Sequence, residues 1–139
     1  MSRKILLLIL VCLITRIIFL DARPMDHDES IHAWIAYRLL TKGVYYYDPA
    51  FHGPFLYYIS ALFFYLFGDS EITARIIPVM FSMVGVLFAY FYKRWLGNNV
   101  YIFLFCLAFS PTLLYYSRYL RNDIIIASLF IASVYSFFR

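Results

Sequence analysis

Five apolar runs divide this chain, and a polar segment rich in acidic and histidine side chains separates the first run from the second. The runs cover residues 5–20, 55–67, 76–92, 100–116 and 124–138. Long apolar runs favour membrane helices, because only a helix satisfies its own backbone hydrogen bonds in hydrocarbon. With 64% hydrophobic residues, the chain also has too few polar side chains to cover a soluble domain of 139 residues. The pattern therefore predicts an all-α integral membrane protein.

The run at 55–67 differs from the other four in length and composition. As a helix it would rise only about 20 Å, which is less than a hydrocarbon core of about 30 Å. Seven of its thirteen residues are Phe or Tyr, which favour the membrane interface, and Gly53-Pro54 and Gly68 bound it. We therefore expect an interfacial helix here. If the run crossed the membrane instead, every later loop would change sides.

The resulting topology has four transmembrane helices and an outer loop at 21–75 that holds two interfacial helices. The predicted spans are about 5–20, 76–92, 100–116 and 124–138. Arg3 and Lys4 precede the first span, which predicts a cytoplasmic N-terminus in a multi-pass protein of the plasma membrane. Arg16 is expected to reach the far interface with its long side chain.

The outer loop concentrates the groups that can handle protons. Seven of the eight acidic residues and all three histidines lie between positions 21 and 71. Helical periodicity over 30–42 predicts the first interfacial helix, with Asp28 or Ser30 as its N-cap. The free N–H groups of a helix N-terminus keep a carboxylate ionised, and a fixed carboxylate can act as a general base toward a hydroxyl. Asp28 and Glu29 are thus candidate catalytic residues, or else only a cap and its first turn.

A metal site and a nucleic-acid partner are two further possibilities for this chain. His27, His32, Asp48 and His52, with nearby carboxylates, could hold Mg²⁺ or Mn²⁺ together with a phosphate, or the histidines could simply bond water and headgroups. The spacing supports no closed zinc site. The net charge of +4 is scattered along the chain, which argues against a nucleic-acid partner.

A second polar cluster, at 118–123, joins the last two predicted spans. Arg118 and Arg121 could bind a lipid phosphate through charge-assisted hydrogen bonds, or they could anchor the membrane boundary with Asp123 as an ion-pair partner. In the four-span topology this loop faces the same compartment as Asp28.

The order of several short motifs resembles the N-terminal part of the membrane-embedded GT-C glycosyltransferases, which include the dolichyl-phosphate-mannose protein mannosyltransferases. An archaeal branch linked to protein N-glycosylation, described as flippase-activity-associated, is the most similar. The motifs are His27-Asp28-Glu29-Ser30, Tyr47-Asp48-Pro49-Ala50-Phe51-His52-Gly53-Pro54-Phe55, Phe67-Gly68, Arg75 and Ser117-Arg118-Tyr119-Leu120-Arg121-Asn122-Asp123.

This resemblance implies transfer of a sugar from a polyprenyl-phosphate donor to a hydroxyl at the outer membrane face. Asp28 would be the general base with Glu29 beside it, and Asp123 matches a second acidic position of the family. The residues expected to bind the lipid phosphate are Arg118, Arg121, Asp123 and His52. Membrane lipid and the lipid-linked sugar are the expected partners.

Members of this superfamily are several times longer and share about seven spans, so we expect a partial GT-C module. The chain would then be a fragment or split product, or a second polypeptide would complete the module. The alternative function is a non-catalytic membrane subunit that binds a polyprenyl-linked glycan or helps to translocate it.

Overall fold

The computed structural model describes residues 3–43, 45 and 53–139, and within these residues the secondary structure is helical without strands. The helices are α1 (Arg3–Ile17), α2 (His27–Lys42), α3 (Phe55–Phe67), α4 (Glu71–Phe91), α5 (Lys93–Leu96), α6 (Val100–Phe109), α7 (Pro111–Tyr116) and α8 (Asn122–Phe137). A 3₁₀ turn, Gly97–Asn99, joins α5 to α6. The all-α fold predicted from the apolar runs is confirmed.

Helix lengths bear on which segments can cross a bilayer. Within the described residues, the stretch Glu71–Phe109 is the one that is long and apolar enough to do so, and its first helix, α4, alone rises about 31 Å. Shorter apolar helices are Ile5–Ile17, Phe55–Phe67 and Asn122–Phe137. This agrees with an all-α membrane protein, while the number of spans stays a prediction.

Helix α4 lies at the centre of the fold and packs against α1, α3, α6 and α8. Its N-terminal half contributes Ala74 and Ile77 to a core shared with α2, α3 and α8, and its C-terminal half contributes Val86 and Ala89 to a core shared with α1 and α6. At Gly85 an added Cβ would lie 2.7 Å from Ser128 Oγ. Small side chains therefore let α4 and α8 approach closely, as in many membrane helix pairs.

The run predicted as one span at 100–116 forms two helices, because Pro111 breaks it. Ser110 has an extended ψ of 121°, since a residue before proline is disfavoured in the α region. Its side-chain oxygen accepts a hydrogen bond from the Leu113 N–H at 3.5 Å and so caps α7. Pro111 has no N–H, so it leaves the carbonyl of Leu107 without its helical donor.

Arg16 supplies the missing donor. Its side chain is 1% exposed, so the expectation that it reaches the membrane interface is wrong. The guanidinium lies among α1, α4 and α6, where Nη2 donates to the Leu107 carbonyl at 3.1 Å and Nε donates to Ser82 Oγ at 2.6 Å. Arg16 thus fixes the end of α6, from which α7 and the loop at 117–121 continue.

Candidate functional site

A buried ion pair between Glu29 and Arg75 forms the centre of the candidate site. Both side chains are 0% exposed, and the pair is bidentate: Arg75 Nε lies 3.1 Å from Glu29 Oε1, and Nη2 lies 3.0 Å from Oε2. Two parallel charge-assisted hydrogen bonds fix both distance and orientation. The pair therefore holds the N-terminus of α2 against the N-terminus of α4.

The remaining donors of Arg75 fix the segment that follows α1. Nη1 donates to the carbonyls of Leu20 and Arg23, both at 2.9 Å, and Nη2 donates to the carbonyl of Pro24 at 3.1 Å. Glu71, one turn earlier on α4, lies 3.4 Å from Nη1. One buried arginine therefore sets the path of the chain between α1 and α2.

Glu29 accepts further bonds from three directions. The backbone N–H of Leu120 donates to Oε1 at 3.1 Å, the N–H of Asp26 donates to Oε2 at 3.3 Å, and Arg23 Nη1 lies 2.9 Å from Oε2. Burial alone would raise the pKa of Glu29, but the bonds from Arg75, Leu120 and Asp26 outweigh it and lower that pKa. This carboxylate is therefore ionised and fully occupied, and it links α2 to the loop at 117–121.

The N-cap of α2 is Asp26, so the prediction of Asp28 or Ser30 as the cap is wrong. Asp26 is extended, with φ −69° and ψ 165°; its side chain accepts from the backbone N–H of Glu29, three residues later, and its own N–H donates to the Glu29 carboxylate. This reciprocal arrangement is a capping box. It places Asp28 in the first turn, where the helix dipole favours a negative charge and the side chain is free of a capping role.

Asp28 lies on the accessible side of the same turn. Its side chain is 49% exposed, and Oδ2 lies 3.3 Å from Arg121 Nη1. Arg121 Nε lies 3.2 Å from Asp123 Oδ2, although this N–H is not aligned for a hydrogen bond. Arg121 thus stands between two aspartates, each in the first turn of a helix. The structure brings together three of the predicted site residues: Asp28, Arg121 and Asp123.

Arg118 contacts a different part of the molecule. Its Nη2 donates to the carbonyls of Ile18 and Phe19, at 2.8 and 2.6 Å, at the end of α1. Burial, with the positive charges of Arg23 and Arg75, lowers the pKa of Arg118. The sequence predicted that Arg118 and Arg121 bind one phosphate together. In the structure Arg118 instead contacts the end of α1, whereas Arg121 contacts Asp28.

The pKa of Tyr119 is raised by its surroundings. Burial, and after it the negative charges of Asp26, Asp28 and Glu29 together with neighbouring Tyr115, raise the pKa of Tyr119 to about 12. Its hydroxyl is therefore protonated at neutral pH. It can donate a hydrogen bond, but it cannot serve as a base there.

Two of the sequence-derived proposals lie partly or wholly outside the described residues. His52, assigned to lipid-phosphate binding, and Asp48, a candidate metal ligand, fall in the stretch at 46–52. Among the residues that the structure describes, no three His, Cys, Asp or Glu side chains are grouped to hold a metal ion. His32 is buried in α2, and its Nδ1 lies 3.1 Å from the Tyr57 hydroxyl.

Comparison with known proteins identifies the family. A family model described as dolichyl-phosphate-mannose-protein mannosyltransferase matches residues 51–139, which is more than half of the chain. The chain belongs to this mannosyltransferase family. The resemblance to GT-C glycosyltransferases is therefore confirmed. No curated protein and no solved structure matches the chain significantly.

Membership in the mannosyltransferase family supports a membrane glycosyltransferase-like role and implies a lipid environment and a polyprenyl-phosphate-sugar donor. The matched region includes Arg75 and the segment from Arg118 to Asp123, and it begins after α2. Arg75 and Leu120 of the matched region hold Glu29, and Arg121 holds Asp28. The family-matched part of the chain thus positions the two acidic residues that precede it.

Proposed function

We propose that this chain forms part of a membrane glycosyltransferase in which Asp28 deprotonates a hydroxyl acceptor. The acceptor oxygen attacks the anomeric carbon of the donor sugar, and the bond from that carbon to the phosphate oxygen breaks. The proton goes to Asp28, and the bonding electron pair leaves with the polyprenyl phosphate. The polyprenyl phosphate leaves as an anion, so nearby cations stabilise it and it does not need a general acid to protonate it.

The observation that carries the proposal is the contrast between adjacent Asp28 and Glu29. Glu29 is completely buried and occupied by Arg75, Arg23 and two backbone N–H groups, so we assign it a positioning role. Asp28 is half exposed and is held by one cation at 3.3 Å. A carboxylate that is fixed on one side and open on the other has the geometry of a general base.

The same contacts support the proposed topology. Arg121 contacts Asp28, and Leu120 contacts Glu29, so the loop at 117–121 and the N-terminus of α2 lie on one side of the protein. Four spans with α3 at the interface meet this requirement. The N-terminus and the α5 segment, with Lys93 and Arg94, would then be cytoplasmic.

The test is transfer of radiolabelled sugar from a polyprenyl-phosphate donor, measured in membranes that contain the full chain with its native partners. Asp28→Asn should lower the rate of transfer about 100-fold or more, because general-base catalysis contributes at least that factor in typical enzymes. Donor binding should stay the same. Asp21→Asn is the matched control, since Asp21 is an exposed aspartate outside the Arg121 ion pairs. Unchanged transfer in Asp28→Asn would show that the assignment is wrong.

One observation favours a second candidate, a non-catalytic subunit that binds a polyprenyl-linked glycan. The family match covers Arg118 and Arg121 but not Asp28. In that case the loss of Arg118 should abolish binding of the lipid-linked glycan, and Asp28→Asn should change neither binding nor transfer.

A further inference from the structure

We propose that a cleft between the end of α1 and α7 binds the phosphate head and first apolar segment of a membrane amphiphile, with Arg23 as the partner of Arg118. This deepens the proposed function, on which it rests for the role of the bound lipid phosphate. It differs from the sequence prediction, which paired Arg118 with Arg121.

The cleft has the size and the lining for such a ligand. Its volume is about 550 Å³, and its apolar walls come from Phe19, Pro111, Leu114 and Tyr115. Arg23 and Arg118 are the two charged side chains that line it, and both are cationic. Cations beside apolar walls select an anionic head that carries an apolar chain, whereas a small soluble anion gains nothing from those walls.

Arg118 is a cation without an acidic partner. Arg23, Arg75 and Arg121 each have a carboxylate within 3.4 Å, but within the described residues no carboxylate lies within ion-pair distance of Arg118. The protein contacts of its guanidinium are the two carbonyls at the end of α1, and both are made by Nη2. A bound anion would compensate this charge, which burial and the neighbouring guanidiniums disfavour.

Arg23 is held in position while part of it faces solvent. Its side chain is 40% exposed, Nη1 lies 2.9 Å from Glu29 Oε2, and the guanidinium carbon lies 5.2 Å from the Tyr119 ring centroid and 5.9 Å from that of Tyr115. An ion pair at one edge and aromatic rings within cation–π distance restrict its motion. Arginine held in this way is pre-organised to bind phosphate oxygens.

The rim of the cleft shows a backbone conformation that Arg118 stabilises. Phe19 has φ +54°, a left-handed conformation that is costly for a bulky residue, and its side chain is 72% exposed. The Phe19 carbonyl accepts the 2.6 Å bond from Arg118. The side chain that binds the phosphate would thus also hold an aromatic ring at the mouth of the cleft, where an apolar chain would pass.

The cleft and the Asp28 site share one connecting residue. Glu29 pairs with Arg23 on the cleft side, and the adjacent Asp28 pairs with Arg121 on the other side. A phosphate at Arg23 and Arg118 would therefore lie beside the proposed base while Arg121 continues to hold Asp28.

The experiment is isothermal titration of the purified full chain in detergent micelles with farnesyl phosphate, inorganic phosphate and farnesol. We expect farnesyl phosphate to bind, and the two half-ligands to bind at least tenfold more weakly. Arg23→Gln and Arg118→Gln should each weaken farnesyl phosphate binding about tenfold or more, since each removes a charge-assisted hydrogen bond. Arg94→Gln, an exposed arginine outside the cleft, is the control and should have no effect.

Each arm has an outcome that overturns the proposal. Inorganic phosphate binding as tightly as farnesyl phosphate would indicate a site for a free anion. A loss of binding in Arg121→Gln with unchanged binding in Arg23→Gln would show that the sequence-based pairing of Arg118 with Arg121 is right. If Arg118→Gln unfolds, Tyr115→Glu provides the test, because it places a negative charge on the cleft wall. It should weaken binding of farnesyl phosphate but not of farnesol, and equal binding of farnesyl phosphate would refute the site.

Failure of this inference is distinguishable from failure of the proposed function. Asp28→Asn should bind farnesyl phosphate like the wild type, since Asp28 does not line the cleft. Loss of transfer in Asp28→Asn with unchanged binding in both arginine variants would retain the base and reject the cleft. The reverse pattern would retain the cleft and reject the base.

Discussion

Two arginines are buried in this protein to nearly the same degree, but their guanidinium groups have different kinds of hydrogen-bond partner. Arg75 is 0% exposed and pairs with the carboxylate of Glu29 in a bidentate ion pair. Arg16 is 1% exposed, and within the described residues no carboxylate lies within ion-pair distance of it. It donates to the carbonyls of Cys12, Leu107 and Ala108, to the Ser82 hydroxyl and to the Cys12 sulfur.

This difference follows from the backbone around each guanidinium. The segment after α1 and the N-termini of α2 and α4 converge on Arg75, where polar groups are abundant and a full ion pair can form. Arg16 lies in an apolar core, and there the break at Pro111 provides the free carbonyls at the C-terminus of α6. A helix C-terminus carries partial negative charge and favours a cation. A broken helix can therefore hold a buried charge that would otherwise need an acid.

Arg75→Gln should have the largest effect, because it leaves the Glu29 carboxylate buried with only Arg23 as a cation. Breaking a buried ion pair by removing one partner typically costs about 3–5 kcal/mol. The free energy of unfolding in detergent, measured by denaturant titration with circular dichroism, checks this. The matched control is Glu71→Gln, whose carboxylate is 46% exposed and 3.4 Å from Arg75, and which should cost less than about 1 kcal/mol. Equal losses for the two variants would contradict the central role of the buried pair.

Arg16→Met should have an intermediate effect. Methionine keeps the apolar contacts and removes the charge, so the cost is that of the unpaired Leu107 carbonyl, about 1–3 kcal/mol. Replacing Pro111 provides a sharper test, because Pro111→Ala supplies an N–H to that carbonyl. It should rescue the Arg16→Met variant and give no gain to the wild type. A double-mutant cycle would measure this coupling, which we expect to exceed about 0.5 kcal/mol.

The same unfolding measurements provide the control for this cycle. Arg94→Met removes an exposed arginine of α5 and should be neutral both alone and with Pro111→Ala. If Pro111→Ala had the same effect in both Arg16 backgrounds, Arg16 would not be the donor that compensates for the proline.

The sequence predicted individual helices better than the contacts between them. The apolar run at 55–67 matches α3 as Phe55–Phe67, because Pro54 and Gly68 terminate it. Pro111 lies within the run at 100–116, which the apolar composition alone predicts to be one span. The cap at Asp26 also had a local signal, since Glu29 follows it by three residues in the capping-box pattern.

The candidate site was harder to predict, because its central contact joins residues 46 positions apart. Asp28, Arg121 and Asp123 were identified individually, and the fold brings them together. Arg75 entered only as part of a motif, and Arg23 was missed. An arginine at the beginning of an apolar run is itself a signal, since such a charge usually faces the protein interior with a partner. The order of residues along the chain does not show which of the acidic residues pairs with Arg75, so Glu29 could not be identified as that partner.

The dependence of stability on acid pH also separates the two arginine sites. The pKa of Glu29 is lowered in the folded protein, so its contribution to stability is present above the unfolded pKa, about 4.3, and is lost as the pH falls through the folded value. Glu29→Gln lacks this ionisation. The free energies of unfolding of wild type and Glu29→Gln should therefore differ at pH 7, and this difference should shrink as the pH falls below about 4.3. Arg16→Met removes no carboxylate, so its difference from the wild type should stay constant over that range. A parallel pH dependence of wild type and Glu29→Gln would show that Glu29 is not held ionised by Arg75.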